Sequence, residues 1–188
     1  MLERLLTWDR EAFLWFNGQN TPFWDPVWVT ITERQTWYAL YALLIGFLLW
    51  KYRKQGLLAV VLLILSVVVA DQITSGLMKP LFARPRPCHE PSLQGLVHLL
   101  KYCGGPYGFA SSHAANSFAI ALFAGRMLRP LGCWIPPVWW LWAALISYSR
   151  IAVGVHYPGD VLVGAWMGAI AGWGLHRLYG KISSRYFS

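Results

Sequence analysis

The chain alternates between long apolar stretches and short polar knots, and the lengths of the apolar stretches set the first expectation. The stretch from Leu57 to about Met78 is the clearest, nearly continuous and carrying one acid, Asp71. A helix rises about 1.5 Å per residue, so roughly 20 apolar residues cross the hydrocarbon core of a bilayer. Thr36 to Trp50 reads as a shorter first span bracketed by Trp37 and Trp50, aromatic residues suited to the membrane interface. Lys51, Tyr52, Arg53 and Lys54 form the basic turn between the two. A third span starts near His113 and ends at Arg126 to Arg129, and its Asn116 and Ser117 turn it towards other helices. A fourth begins after Gly132, where Pro136 and Pro137 suit a helix start, and runs to Ser149. A fifth runs from about Val161 to Tyr179, with a Gly164, Gly168, Gly172 ladder that permits close helix contact.

Ahead of these spans, residues 2–16 set Leu2, Leu5, Leu6, Ala12, Phe13 and Phe16 against Glu3, Arg4, Asp9 and Arg10. That is the pattern of an amphipathic helix lying in the interface rather than crossing it. A second interfacial turn is expected over 27–31, so that residues 1–35 form an interfacial segment. The expected fold is all-α: a polytopic membrane helix bundle of about five transmembrane helices plus the N-terminal amphipathic helix, as one domain over residues 1–188.

Composition agrees. The 188 residues are 56% hydrophobic and 13% charged, with a mean hydropathy of +0.41, values foreign to a soluble domain. No removable signal peptide is evident, because the first residues carry acids and lack a continuous apolar core. The formal charge of +8 would ordinarily raise nucleic acid as a partner. Here it is divided between span ends and three motif blocks, so the bilayer and an anionic ligand explain it and no nucleic acid is expected. Lys51, Arg53, Lys54, Arg126, Arg129, Arg177, Lys181 and Arg185 flank one set of span ends, while the 8 acids lie at the other set or within a span. The bias of basic residues towards the cytoplasm then puts the motif blocks outside.

Those blocks are Lys79-x6-Arg86-Pro87, Ala110-Ser111-Ser112-His113 and Ser149-Arg150-x5-His156-x3-Asp160, in a chain whose 79–112 stretch is loop-like and rich in Pro and Gly. Cations, two imidazoles and one carboxylate in this order suit phosphoryl transfer, where positioning and charge stabilisation do most of the work. The blocks resemble the signature motifs of the type 2 phosphatidic acid phosphatase superfamily, over residues 79–160. The family's middle motif is Pro-Ser-Gly-His, and this chain has Ser112 where that pattern has Gly. The resemblance implies His156 as nucleophile forming a phosphohistidine, Asp160 as the group that fixes its tautomer, and His113 as general acid. It implies Lys79, Arg86, Arg150, Ser111 and backbone N–H groups near Ser112 as the phosphate cradle. His156 must be neutral while His113 is protonated, so their surroundings must separate them. No acidic cluster suits Mg²⁺, so a metal-independent reaction without a cofactor is expected.

The favoured substrate is undecaprenyl diphosphate at the outer face of a bacterial cytoplasmic membrane. The alternatives are phosphatidylglycerophosphate, phosphatidic acid or lipid A. A haloperoxidase sharing the pocket would be soluble, and a non-catalytic transporter would leave the spacing of His113, His156 and Asp160 without a reason. The substrate is expected to approach sideways from the bilayer, past the amphipathic helix with Phe13 and Phe16 against lipid. Cys88 and Cys103 lie in the outer loop, where a disulfide persists; the alternative is two unpaired thiols, with Cys133 at the cytoplasmic end of span four. Arg84 reads equally as a headgroup contact or a substrate contact, and Asp71 as an interhelical hydrogen-bonding residue. His89, His98 and His176 show no partner pattern.

Overall fold

A computed structural model describes residues 1–186, the side chain of Leu2 excepted; Phe187 and Ser188 of the polar tail lie outside the described residues. The chain is helical: α1 (Leu2–Asn17), α2 (Asp25–Thr32), α3 (Tyr38–Asp71), a π-helical stretch Gln72–Met78, α4 (Lys79–Phe82), α5 (Ser112–Leu128), α6 (Ile135–Ala152) and α7 (Pro158–Tyr186). Among the described residues there is no strand, only an isolated bridge between Pro85 and Tyr107.

α3 is two limbs. Arg53 leaves the helical region (φ 50°, ψ −119°), and the chain folds back so tightly that a Cβ on Gly56 would collide with the Leu48 carbonyl. This is the basic turn read from Lys51 to Lys54. Within Gln35–Phe82 an 18-residue window reaches a mean hydropathy of 2.5, and the stretch is long and apolar enough for a membrane. The second limb runs on through the π-helical stretch and α4 until Ala83 takes a left-handed conformation (φ 44°) and ends it.

α5 is the hub, with α3, α6 and α7 packed around it. Its Ala and Gly positions make this possible: Gly164, Gly168 and Gly172 of α7 lie directly against the backbone of Ser111, Ala115 and Ala119, where any Cβ would overlap a carbonyl. Small residues facing small residues let backbones approach where lipid offers no hydrophobic drive. Leu48, Leu63, Phe123, Trp142 and Ile146 fill the adjoining core. The Tyr52 hydroxyl donates to the Met127 carbonyl at 3.2 Å, which sets the α3 turn beside the end of α5. Lys51, Arg53, Lys54, Arg126 and Arg129 therefore gather at the end of the bundle opposite the motif blocks.

At the motif end a second cluster, Phe13, Leu93, Ala114, Ile151, Tyr157 and Val161, joins α1, the 83–111 loop, α5, α6 and α7. Phe13 corrects the expectation for α1. It is fully buried, edge-on to Tyr157 at 5.5 Å, rather than turned to lipid. Trp8 and Trp15 are the outward residues. The Asn17 amide donates to the carbonyls of His98 and Ala152 at 3.0 and 2.9 Å, and its oxygen accepts from the His98 N–H at 2.7 Å. The loop is further tied down by His98 Nε2 to Asp25 at 3.0 Å, by the Lys101–Glu33 ion pair, and by a Cys88–Cys103 disulfide. Two 3₁₀ turns, Pro87–His89 and Pro91–Leu93, give it local order.

Candidate active site

α5 starts where the chemistry starts. Ser111 is its N-cap, extended at φ −73° and ψ 112°, with its hydroxyl accepting from the Ala114 N–H at 3.5 Å. At the end of α6, Gly154 takes a left-handed conformation (φ 84°), and a Cβ there would sit 2.9 Å from the His98 carbonyl. That turn swings Val155, His156 and Tyr157 back across the bundle to Pro158, the first residue of α7. His156 is 2% exposed and Asp160 is fully buried.

The His156 ring is held from both sides. Arg86 Nη1 lies 3.2 Å from Nε2. A guanidinium only donates, so Nε2 is the acceptor and the ring proton sits on Nδ1. Nδ1 faces Asp160 Oδ2 at 3.4 Å, and the same oxygen accepts the Tyr157 N–H at 3.1 Å. Burial, with Arg150, Arg86 and Lys79 nearby, holds the His156 pKa well below the ordinary histidine range. The bare nitrogen is thus the one covered by Arg86, a residue that also lines the chamber described below.

The middle motif differs from its expected arrangement. Ser111 is completely buried and its hydroxyl serves the helix cap. The Ser112 hydroxyl turns to the π-helical stretch, 2.7 Å from Ser75 Oγ and 3.1 Å from Thr74 Oγ1. Lys79 Nζ donates to Ser112 Oγ at 2.7 Å and to Ser75 Oγ at 3.2 Å. Ser112, standing where the family pattern has Gly, anchors the motif lysine, and none of Lys79, Ser111 and Ser112 lines the chamber. Asp71 accepts from Asn116 Nδ2 at 3.3 Å and from Ser75 at 3.5 Å, an interhelical role.

The chamber, about 320 Å³, is lined by Arg34, Arg86, Lys101, His113, Arg150 and Val155 among others. Arg150 is 8% exposed; its Nη1 donates to Thr32 Oγ1 at 2.5 Å, while Nε has no partner among the described residues. A buried guanidinium with a spare donor, beside three further cations and the N-terminus of α5, is a cradle for an anion. A second cavity of about 450 Å³ continues from it, sharing Thr32, Glu33, Arg34, Tyr38 and His113. Its walls come from α2, α3, α5 and α6. The expectation that α1 lines the sideways approach is therefore corrected: α1 packs against α6 and α7 instead.

Two participants, Arg34 and Asp9, escaped the sequence, and a third, Arg84, was left there between a headgroup and a substrate contact. Arg34, just beyond the end of α2, lines the chamber. Arg84 Nη1 bridges Asp160 Oδ1 at 2.9 Å and Asp9 Oδ2 at 2.8 Å, its guanidinium 4.0 Å above the Tyr157 ring. Asp9 also accepts the Gly159 N–H at 2.7 Å. The only sequence signal was the doubled Arg84-Pro85-Arg86-Pro87, whose first arginine had no assigned partner. With one carboxylate oxygen fixed by Arg84, the other is free to hold His156, so Arg84 is expected to act by positioning. Arg84→Met should lower kcat about 10- to 100-fold with little change in KM. Arg84→Lys, or added guanidinium ion, should restore part of it. Equal loss in kcat/KM and thermal stability without rescue would make the arginine merely structural.

The sequence pattern of the PAP2 superfamily matches residues 56–184. Lipid A 4'-phosphatases of Bacteroides thetaiotaomicron and Porphyromonas gingivalis are 36% and 35% identical, each over 98% of this chain and over 83% and 78% of their own lengths. An undecaprenyl-diphosphatase of Sulfolobus acidocaldarius is 30% identical over 71% of this chain and 58% of its own. The crystal structure of Aquifex aeolicus LpxE superposes with a TM-score of 0.71 at 31% identity, over 89% of this chain and 93% of that one. With motif order, helical frame and relatives in agreement over nearly the whole chain, the protein belongs to the PAP2 superfamily, as a membrane phosphatase that hydrolyses phosphoric monoesters.

Proposed function

We propose that the protein removes a phosphate from a phosphorylated glycolipid of the lipid A type, through a phosphohistidine at His156. The observation that carries the substrate class is the reach of the lipid A 4'-phosphatase likeness, 98% of the chain. It takes in α1 and α2, the elements that bring Asp9, Thr32 and Arg34 to the site. The undecaprenyl-diphosphatase likeness covers 71%. The favoured undecaprenyl diphosphate accordingly yields to the lipid A alternative.

The geometry supports a sequence of steps. The substrate phosphate enters the chamber and competes for Arg86, which uncovers Nε2 of His156. The Nε2 lone pair attacks phosphorus, the bond from phosphorus to the lipid oxygen breaks, and His113 gives that oxygen its proton. Asp160 steadies the imidazolium through Nδ1, and the cations meet the equatorial oxygens. Water, deprotonated by His113, then attacks phosphorus, the phosphorus–Nε2 bond breaks with its electron pair returning to His156, and inorganic phosphate leaves. The five long helical limbs serve as the membrane spans, and the basic residues gathered at the far end of the bundle support a cytoplasmic position for that end and an outer position for the site.

The lipid tail stays in the bilayer, since each CH₂ kept from water contributes about 0.8 kcal/mol. Purified protein in a chelator-containing detergent buffer should release phosphate from a lipid A-type phosphate with higher kcat/KM than from undecaprenyl diphosphate or phosphatidic acid at matched surface concentration. Glucose 6-phosphate should be poorest of all. A polyprenyl diphosphate preferred over the glycolipid would overturn the substrate class, and equal turnover of glucose 6-phosphate would overturn lipid specificity.

A further inference from the structure

The second cavity is not the smooth hydrocarbon slot that a plain isoprenoid tail would need. Tyr41, Val67, Val68, Ile120 and Ile146 make it apolar, yet Asn116 and Gln72 stand in the same wall. Asn116 has its Nδ2 committed to Asp71, and that carboxylate fixes which end of the amide is which. Its Oδ1 is left buried without a donor among the described residues. Gln72 is exposed at the start of the π-helical stretch, and such segments recur at functional sites because they re-aim side chains. Polar side chains at bilayer depth are costly unless they meet a partner.

Their position relates them to the reaction. Asn116 follows His113 by three residues on α5, so the two share a face about one turn apart, roughly 5–6 Å between Cβ atoms. If the leaving oxygen meets His113, the atoms flanking the phosphoester carbon fall beside Asn116, and an attached chain continues along Val67 and Ile120. We infer that Asn116 and Gln72 form a specificity subsite for hydrogen-bonding groups, hydroxyl or amide, carried next to the phosphoester by a glycolipid. This rests on the glycolipid reading above and deepens it. A polyprenyl phosphate has only hydrocarbon to offer there and leaves the Asn116 oxygen unpaired, whereas a sugar hydroxyl or an acyl amide N–H supplies its donor.

The test uses the intact protein in detergent, with two probes at matched surface concentration: a lipid A-type monophosphate bearing amide-linked acyl chains, and undecaprenyl monophosphate. The quantity read is the ratio of their kcat/KM values in wild type, Asn116→Leu and Gln72→Leu. The ratio should favour the glycolipid in wild type and fall about tenfold in Asn116→Leu, with a smaller fall in Gln72→Leu. A wild-type preference for the glycolipid that both leucine variants retain would overturn the subsite and leave the substrate class standing. A wild-type preference for undecaprenyl monophosphate would overturn the glycolipid reading and the subsite with it. Should Asn116→Leu fail to yield helical, monodisperse protein, Gln72→Leu decides alone: its side chain is exposed, and an unchanged ratio there overturns the inference.

Discussion

His156→Ala should reduce phosphate release from the glycolipid by about 10⁴-fold or more, because His156 is the imidazole whose Nδ1 is held by Asp160 while its Nε2 lone pair faces Arg86 of the chamber. His156→Gln, closer in volume, should be equally inactive while sparing the packing around this buried position. Both proteins should remain helical in detergent. Near-normal turnover by either variant would contradict the assignment. The pH profile carries the same message: because burial and the surrounding cations hold the His156 pKa down, the nucleophile stays neutral as the pH falls. Wild-type kcat/KM should therefore not drop tenfold per pH unit immediately below about 6.5, as an unperturbed histidine nucleophile would require.

Asp160→Asn is the second large effect. The change keeps size but removes the charge that steadies a positive imidazole, and the amide can present an N–H to Nδ1 and so favour the wrong tautomer. A tautomer-fixing aspartate in a well-studied protease triad is worth about 10⁴ in kcat, and a loss of about 10³- to 10⁴-fold with nearly unchanged KM is expected here. Asp160 Oδ1 also receives Arg84, so Arg84→Met combined with Asp160→Asn should cost little more than Asp160→Asn alone. Fully multiplicative losses would show that the two act independently.

The contact between His156 and Asp160 was legible because their spacing lets them meet across one turn, and the start of α5 at Ser111 was legible where the Gly-containing loop meets an apolar run. The long helices were legible from the lengths of the apolar stretches, with ends displaced by a few residues, as at Leu57, which lies within a limb that starts just after Arg53. The side a residue faces was not. In a bilayer, lipid and protein interior are equally apolar, so the pattern around Phe13 fits either environment; the Asp9 and Asn17 hydrogen bonds that choose the inward one come from distant segments. Arg34 and Arg84 were hidden for the same reason, since their roles exist only once α2 and the loop close on the motif turns. The Ser112 substitution needed the π-helical stretch to be understood. A missing glycine is visible in sequence, but the Thr74, Ser75 and Lys79 partners that receive the added hydroxyl are not.

The most direct measurement is to trap the covalent intermediate. Wild-type protein would be mixed with a lipid A-type glycolipid carrying ³²P in its phosphate, quenched within the first turnover in alkaline denaturant, and digested for peptide mapping. Label on the peptide containing His156, stable to base and lost in acid as a phosphorus–nitrogen bond must be, is the predicted result. It should be absent from His156→Gln treated identically. Label on another residue, or rapid phosphate release by wild-type protein with no phosphoenzyme in the first turnover, would contradict it.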